Sequence, residues 1–280
     1  MNDDDDDSVH DGARLRDEEV EEVENRSAPR PLVVYEVIRH EGEQELRRSA
    51  SALAFSGLAA GLSMGFSFVT QGMLRAGLPD APWQPLVSSF GYCIGFLIVI
   101  LGRQQLFTEN TLTPILPLLH HATVRRAWRV ARLWMIVLAT NLVGALVFAM
   151  VVAHTDAIRE PVRAALLAIG DDAAAGTFWT LVIRGVFAGW LIALMVWLLP
   201  GAEGARAGTV VIVTYVIGLG GFAHVIAGAV EVFYLAVSGV LSWTHVIGGW
   251  LVPVLLGNLA GGLLLVTALN HAQVTSGEHT

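Results

Sequence analysis

The chain has 280 residues, 54% of them hydrophobic and only 15% charged, and its mean hydropathy of +0.58 is too high for a soluble domain of this size. The net charge of −8 is unevenly placed: sixteen acids and seven arginines stand up to Arg48, and nine acids and ten arginines follow, which leaves a head of −9 and a body of +1. A near-neutral body excludes a nucleic-acid binder, which needs a basic face, and a single cysteine, Cys93, excludes a disulfide framework or a cysteine-built metal site. All seventeen Lys and Arg residues are arginines.

Residues 1–30 hold Asp3–Asp7 and a run of glutamates with hardly an apolar residue. They cannot bury enough surface to order themselves and read as a disordered acidic tail. An acidic start without an apolar core is unlike a signal peptide. Residues 31–48, part apolar and part charged, read as a helix lying on the membrane surface, and residues 49–274 as the transmembrane domain, followed by a short tail, 275–280.

Six apolar stretches follow, each near the ~20 residues that ~30 Å of hydrocarbon requires: Ser51–Gly72, Pro85–Leu119, Ala131–Ala153, Thr177–Leu199, Ala207–Gly239 and His245–Leu269. Tryptophans 83, 128, 134, 179, 197 and 243 stand near stretch ends, as interfacial belts would. The second and fifth stretches, 35 and 33 residues long, exceed one plain helix and are interrupted at Arg103–Thr111 and Gly218–His224. Interrupted helices at matching places in two halves of three spans each point to inverted repeats around a midplane transport site. With the N-terminus inside, eight arginines beside the spans are cytoplasmic (39, 47, 48, 125, 126, 129, 132 and 206) and three are outside (75, 159 and 163), so the positive-inside rule places both termini in the cytoplasm. Gly57, Gly61 and Gly65, Gly91 and Gly95, and Gly257 and Gly261 repeat every four residues, a spacing that allows close helix packing in lipid.

Non-helical backbone at membrane depth must be buried in protein or line a wet cavity. Thr108, Glu109, Asn110 and Thr111 fit such a loop, where Thr108 or Asn110 either caps the following half-helix or contacts substrate, and an inward helix N-terminus attracts an anion. His224, at the break of the opposite half, is ionisable near neutrality and can donate a proton to a passing weak acid. Asn258 reads first as interhelical glue and second as a substrate contact. Arg184 and Glu231 are each costly in lipid, about 2.5 to 3.5 kcal/mol on insertion scales, and read as paired with one another or across subunits. No His-Glu-x-x-His, Gly-x-Ser-x-Gly or Walker loop occurs, so hydrolase and NTPase chemistry lacks its parts. His224 and Glu231, two helical turns apart, leave an intramembrane enzyme as a distant alternative.

The pattern resembles the formate/nitrite transporter family, and most closely its YfdC-like branch, over Ser49–Val274. The resemblance rests on Leu106-Phe-Thr-Glu-Asn-Thr111, Asn141-Leu-Val-Gly-Ala145, Arg184-Gly185 with Trp190, Gly221-Phe-Ala-His-Val-Ile-Ala227, and Pro253 with Gly257-Asn-Leu-Ala-Gly-Gly262. It implies an all-α, aquaporin-like bundle of six transmembrane helices in two inverted three-helix repeats, with helices 2 and 5 broken. It also implies a homopentamer with a pore in each protomer, a bacterial inner-membrane location, a small monovalent weak-acid anion as substrate with protons as possible partners, and no cofactor or metal. By motif, Leu106, Phe107, Thr108, Glu109 and Asn110 form the pore loop, with Thr108 supplying its hydroxyl and His224 standing opposite. Counting without gaps places a cytoplasmic constriction at Tyr92 and Phe96 and an outer one at Ile217.

The chain departs from the family in having no vestibule lysine, Gly189 and Gly228 in place of asparagines, Ala223 in place of an acid before the histidine, and Glu109 in place of a small residue. Fewer cations and one more carboxylate imply weaker anion capture. The expected function is a histidine-gated channel or proton-coupled carrier for a formate- or nitrite-like anion. A pore for a small neutral solute and a membrane-anchored interaction protein with a vestigial pore are the alternatives.

Overall fold

The computed structural model describes residues 29–267. The acidic tail, apart from Pro29 and Arg30, the end of the domain beyond Thr267 and the tail at 275–280 lie outside the described residues. The described residues from Pro31 onward belong to a single unit.

The regular elements of the described residues are all helices. They comprise α1 (Pro31–Arg47), α2 (Ala50–Gly77), α3 (Gln84–Leu101), α4 (Ile115–His120), α5 (Val124–His154), α6 (Glu160–Ala174), α7 (Phe178–Leu198), α8 (Arg206–Leu219), α9 (Ala227–Val237) and α10 (Val252–Leu259). Wider π-helical turns flank α10 at His245–Leu251 and Ala260–Thr267. Five of these segments are long and apolar enough to cross a membrane: Ala50–Gly77, Gln84–Leu101, Val124–His154, Phe178–Gly201 and His245–Leu263. The fifth apolar stretch forms two shorter helices instead, α8 and α9, separated by the expected break.

Hydroxyl caps open α2, α5 and α7. Ser49, Thr123 and Thr177 accept from the amides of Ala52, Arg126 and Thr180, each satisfying a donor that the first turn cannot. One helix, α6, falls between the third and fourth stretches and was not expected. It buries Val162, Leu166 and Ile169, too short an apolar face to register as a span. The helix at 31–47 is present, and it buries Val34, Tyr35, Ile38 and Leu46 on the bundle. Leu112 and Leu116 beyond the first break, and Ala193 and Val196 of α7, share its small cluster.

The small-residue spacings do bring backbones together. α2 packs on α5 so closely that a Cβ at Gly61 would overlap the Asn141 carbonyl oxygen, and α7 packs on α10 so that a Cβ at Gly189 would overlap the Asn258 carbonyl oxygen. Without a side chain between them, the two asparagines come within reach of the breaks in the second and fifth stretches.

Candidate functional site

Both interrupted stretches end their first helix in the same way. Past α3, Gly102, Arg103 and Gln104 donate to Ile98, Ile100 and Val99; past α8, Gly220, Gly221 and Phe222 donate to Val216, Gly218 and Ile217. Arg103 and Gly221 hold the left-handed position, with φ of 50° and 60°, of a Schellman close. The extended backbone beyond each close would leave polar groups unpaired inside the bundle, at a cost of several kcal/mol each. An asparagine prevents this in both. Asn141 of α5 accepts from Phe107 N at 2.9 Å and donates to Gln105 O at 2.9 Å and Gly57 O at 2.7 Å. Asn258 of α10 accepts from Val225 N at 2.8 Å and donates to Ala223 O at 2.8 Å and Gly185 O at 2.9 Å. These bonds tie α10 to α7 and to the break between α8 and α9. Asn141 stands within the motif that carried the family resemblance but was given no role there; the only signal in its sequence was a lone asparagine in an apolar span.

In this matched arrangement Leu106 occupies the place of His224, and the asymmetry makes the site. The imidazole turns towards the other break, where Nε2 lies 2.7 Å from Thr108 Oγ1. Its Nδ1 accepts from the amides of Ile226 at 3.3 Å and Ala227 at 3.1 Å, at the start of α9. Amides can only donate, so Nδ1 carries no proton here and the neutral ring bears its hydrogen on Nε2, donated to Thr108. The Thr108 hydroxyl hydrogen is thereby left to point onward. The structure corrects the capping reading of Thr108 and Asn110: no side chain caps the 3₁₀ turn at Glu109–Thr111 or the six-residue α4 beyond it. The inward-facing amides belong to α9 instead, and the histidine ring takes them.

Apolar side chains wall in this pair. Phe96 meets the His224 ring edge-on at 5.0 Å, and Tyr92 packs on Phe96 at 5.3 Å. Phe107 meets Trp134 edge-on at 6.1 Å, and Trp134 Nε1 donates to Asn110 O at 2.8 Å. The Asn110 side chain closes the loop on itself, donating to Gln105 Oε1 at 3.0 Å and Leu106 O at 3.1 Å. Phe96, Leu106, Phe107 and Thr108 are all at most 2% exposed.

A cavity opens on either side of the wall. One, of about 470 Å³, has His224 at its floor and Arg75, Asp172, Arg184, Glu231 and Trp250 around it. The other, of about 380 Å³, reaches Gln105, Glu109 and Asn110 and is rimmed by Glu41, Glu45, Arg103, Glu203 and Arg206. Tyr92 and Ile217, expected in opposite constrictions, both line the first cavity. α3 enters the bundle from that side at Gln84, so Tyr92 lies short of the break and faces Gly218 of α8. Arg184 and Glu231 share that cavity but form no ion pair among the described residues; Arg184 instead donates to Ala175 O at 2.8 Å. The intramolecular pairing expected for them is corrected accordingly. Among the described residues no cluster of three or more His, Cys, Asp or Glu side chains could hold a metal ion.

The sequence profile described as formate/nitrite transporter matches residues 33–272, a stretch that takes in both breaks and both asparagines. The chain belongs to the formate/nitrite transporter family. It is 38% identical over 259 residues to the inner membrane protein YfdC of Escherichia coli strain K12, covering 92% of this chain and 84% of that protein, which places it in the YfdC-like branch. A probable formate transporter of Methanothermobacter thermautotrophicus is 28% identical over 245 residues, 78% of this chain and 82% of that one. Among solved structures, a pentameric formate channel with formate bound superposes with a TM-score of 0.70 at 22% identity, over 81% of this chain and 98% of the channel. An ion channel of the same family gives a TM-score of 0.70 at 20% identity, over 86% of this chain and 99% of that one.

Proposed function

We propose that this protein is a multi-pass bacterial inner-membrane channel or carrier for a small monovalent weak-acid anion such as formate or nitrite, with the path running between the two cavities through Thr108 and His224. The observation that carries this reading is the Thr108–His224 hydrogen bond, formed inside an apolar wall between two cavities that hold charged and polar groups. A bare ion entering the wall loses its hydration, and a donor pair at the midpoint offsets part of that loss. Nε2–H donates to the Thr108 oxygen and the Thr108 hydroxyl donates to the anion. A substrate protonated in one of the cavities crosses the same point as the neutral acid, the Thr108 hydroxyl then donating to one of its oxygens. In this reading the six crossings form two inverted three-helix repeats, the matched asparagine anchors being their internal correspondence. The protein assembles as a homopentamer with one path in each protomer, and both termini are cytoplasmic.

A second reading, a pore for a small neutral solute, is favoured by a specific observation. Each cavity carries a carboxyl group, Glu109 or Glu231, whose side chain forms no hydrogen bond or ion pair among the described residues, and the chain contains no lysine. Reconstituted proteoliposomes loaded with isotopic formate, nitrite or urea at two pH values separate the readings. Anion flux above that of empty vesicles, rising as pH falls, supports the first; urea flux without anion flux supports the second.

A further inference from the structure

The proposed path leaves Glu231 unused in the 470 Å³ cavity, which is the outer one in the orientation proposed above. Glu231 lies two helical turns beyond His224 and is 7% exposed. Its carboxyl meets no hydrogen-bond donor or cation among the described residues, yet it opens into the 470 Å³ cavity. Its Oε2 stands 3.7 Å from where a Cβ on Gly228 would lie, and that same Cβ would overlap the Trp250 ring. The missing side chain at Gly228 therefore leaves space for both the acid and the indole. An unpaired intramembrane acid facing a cavity is a functional group by default.

The charged neighbours do not neutralise it. Of the elements packed on α9, α6 carries Asp172, within electrostatic reach of Glu231, together with Glu160, Arg163 and Asp171. Arg75 of α2 is bound to Asp172 at 2.9 Å. α5 at that end and the π-helical segment offer His154 and His245, both exposed. From across the cavity come Arg184, held on the Ala175 carbonyl, and the Tyr92 hydroxyl.

We infer that Glu231 is the specificity-determining acid of the outer cavity, sharing one proton with an incoming weak-acid anion and transferring it before the anion reaches Tyr92 and Ile217. Two carboxylates brought together in a poorly solvated site repel each other unless one proton bridges them. In the transfer the Glu231 O–H bond breaks, an oxygen of the anion gains that proton, and Glu231 is left as a carboxylate that water in the cavity reprotonates from the outer solution. A strong-acid anion such as chloride or nitrate cannot take the proton and meets only the negative oxygen. The inference rests on the weak-acid reading above and adds a mechanism of selection to it.

The test is formate, nitrite, chloride and nitrate flux into proteoliposomes across pH 5 to 8, with an entrapped pH dye, for the wild type, Glu231→Gln and Glu231→Asp. The inference predicts that Glu231→Gln, assembled like the wild type, loses at least tenfold in formate flux and no longer speeds up as pH falls. Glu231→Asp should keep the acid dependence, and selectivity over nitrate should narrow only in the Gln variant. Wild-type flux and pH profile in Glu231→Gln, or faster flux, would overturn the inference while leaving anion transport standing. If the wild type moves neither formate nor nitrite, the weak-acid reading falls and this inference with it. Should Glu231→Gln not assemble, the dye decides: formate entry into wild-type vesicles without accompanying protons would overturn the proposal.

Discussion

Thr108 Oγ1 and His224 Nε2, 116 residues apart in sequence, stand 2.7 Å apart in the structure and are both at most 1% exposed. Because Nδ1 is held by two backbone amides, Nε2 is the nitrogen free to serve the path. Thr108 is then the group that passes the hydrogen bond on. Thr108→Val keeps the shape and removes the hydroxyl, leaving a buried ring donor unpaired at a cost of about 1–3 kcal/mol. Anion flux in Thr108→Val should fall at least tenfold, while Thr108→Ser stays within a fewfold of the wild type. Equal flux in the Val variant would show that the hydroxyl is not on the path.

Each asparagine anchor satisfies three backbone groups. Replacing Asn141 or Asn258 by Ala leaves buried amide and carbonyl groups unpaired at a break in the helix, and about 1–3 kcal/mol is lost for each group that finds no water. Both variants should lower the unfolding temperature in detergent by several degrees and by comparable amounts, as the matched bonding implies. A loss at one position alone would show that the two anchors are not equivalent.

Glu109 faces the 380 Å³ cavity beside Glu41, Glu45 and Glu203, against Arg103 and Arg206. In a mouth that is already net acidic, its carboxylate opposes an arriving anion. Glu109→Ser should raise formate uptake a fewfold at low ionic strength, with the gain shrinking as salt screens the field. Uptake that stays level or drops would show that this acid does not repel substrate.

Gly189 stands where the family commonly has an asparagine, and the backbone explains why this chain cannot carry one. A Cβ there would overlap the Asn258 carbonyl oxygen, with the Asn258 Cα beside it, so even Ala would push α7 off α10. Gly189→Ala should reduce the yield of assembled protein and weaken the Asn258 anchor. Gly77→Ala, where a Cβ would meet nothing within 4 Å, serves as the control and should express normally.

The two breaks were legible in sequence because polar or glycine-rich runs interrupt apolar stretches that are too long for one helix. The pairing of Thr108 with His224 followed from the motifs on them. What could not be read was direction. Counting back from Thr108 put Tyr92 and Phe96 on the helix before the break, but not the cavity that Tyr92 lines, since that depends on how far α3 has risen when it reaches it. The choice between capping and contact across the bundle was also open. A threonine before a half-helix looks like a cap whether its hydroxyl turns to its own amides or across the bundle, and only the ring opposite decides between them. The α6 helix escaped because its apolar face is short, and Asn141 because a single amide in an apolar span carries no spacing. Arg184 and Glu231 looked like partners by charge alone, yet the Ala175 carbonyl already occupies Arg184.

The central claim is that the imidazole of His224 acts on the substrate through the Thr108 hydroxyl. Its most direct test is isotopic formate flux through proteoliposomes containing His224→Phe beside the wild type, with the oligomer checked by size-exclusion chromatography. Phe has a similar size and keeps the packing on Phe96, but it offers neither Nε2–H nor Nδ1. The account predicts an intact assembly with flux reduced to near that of empty vesicles; an intact assembly that passes formate at the wild-type rate would contradict it.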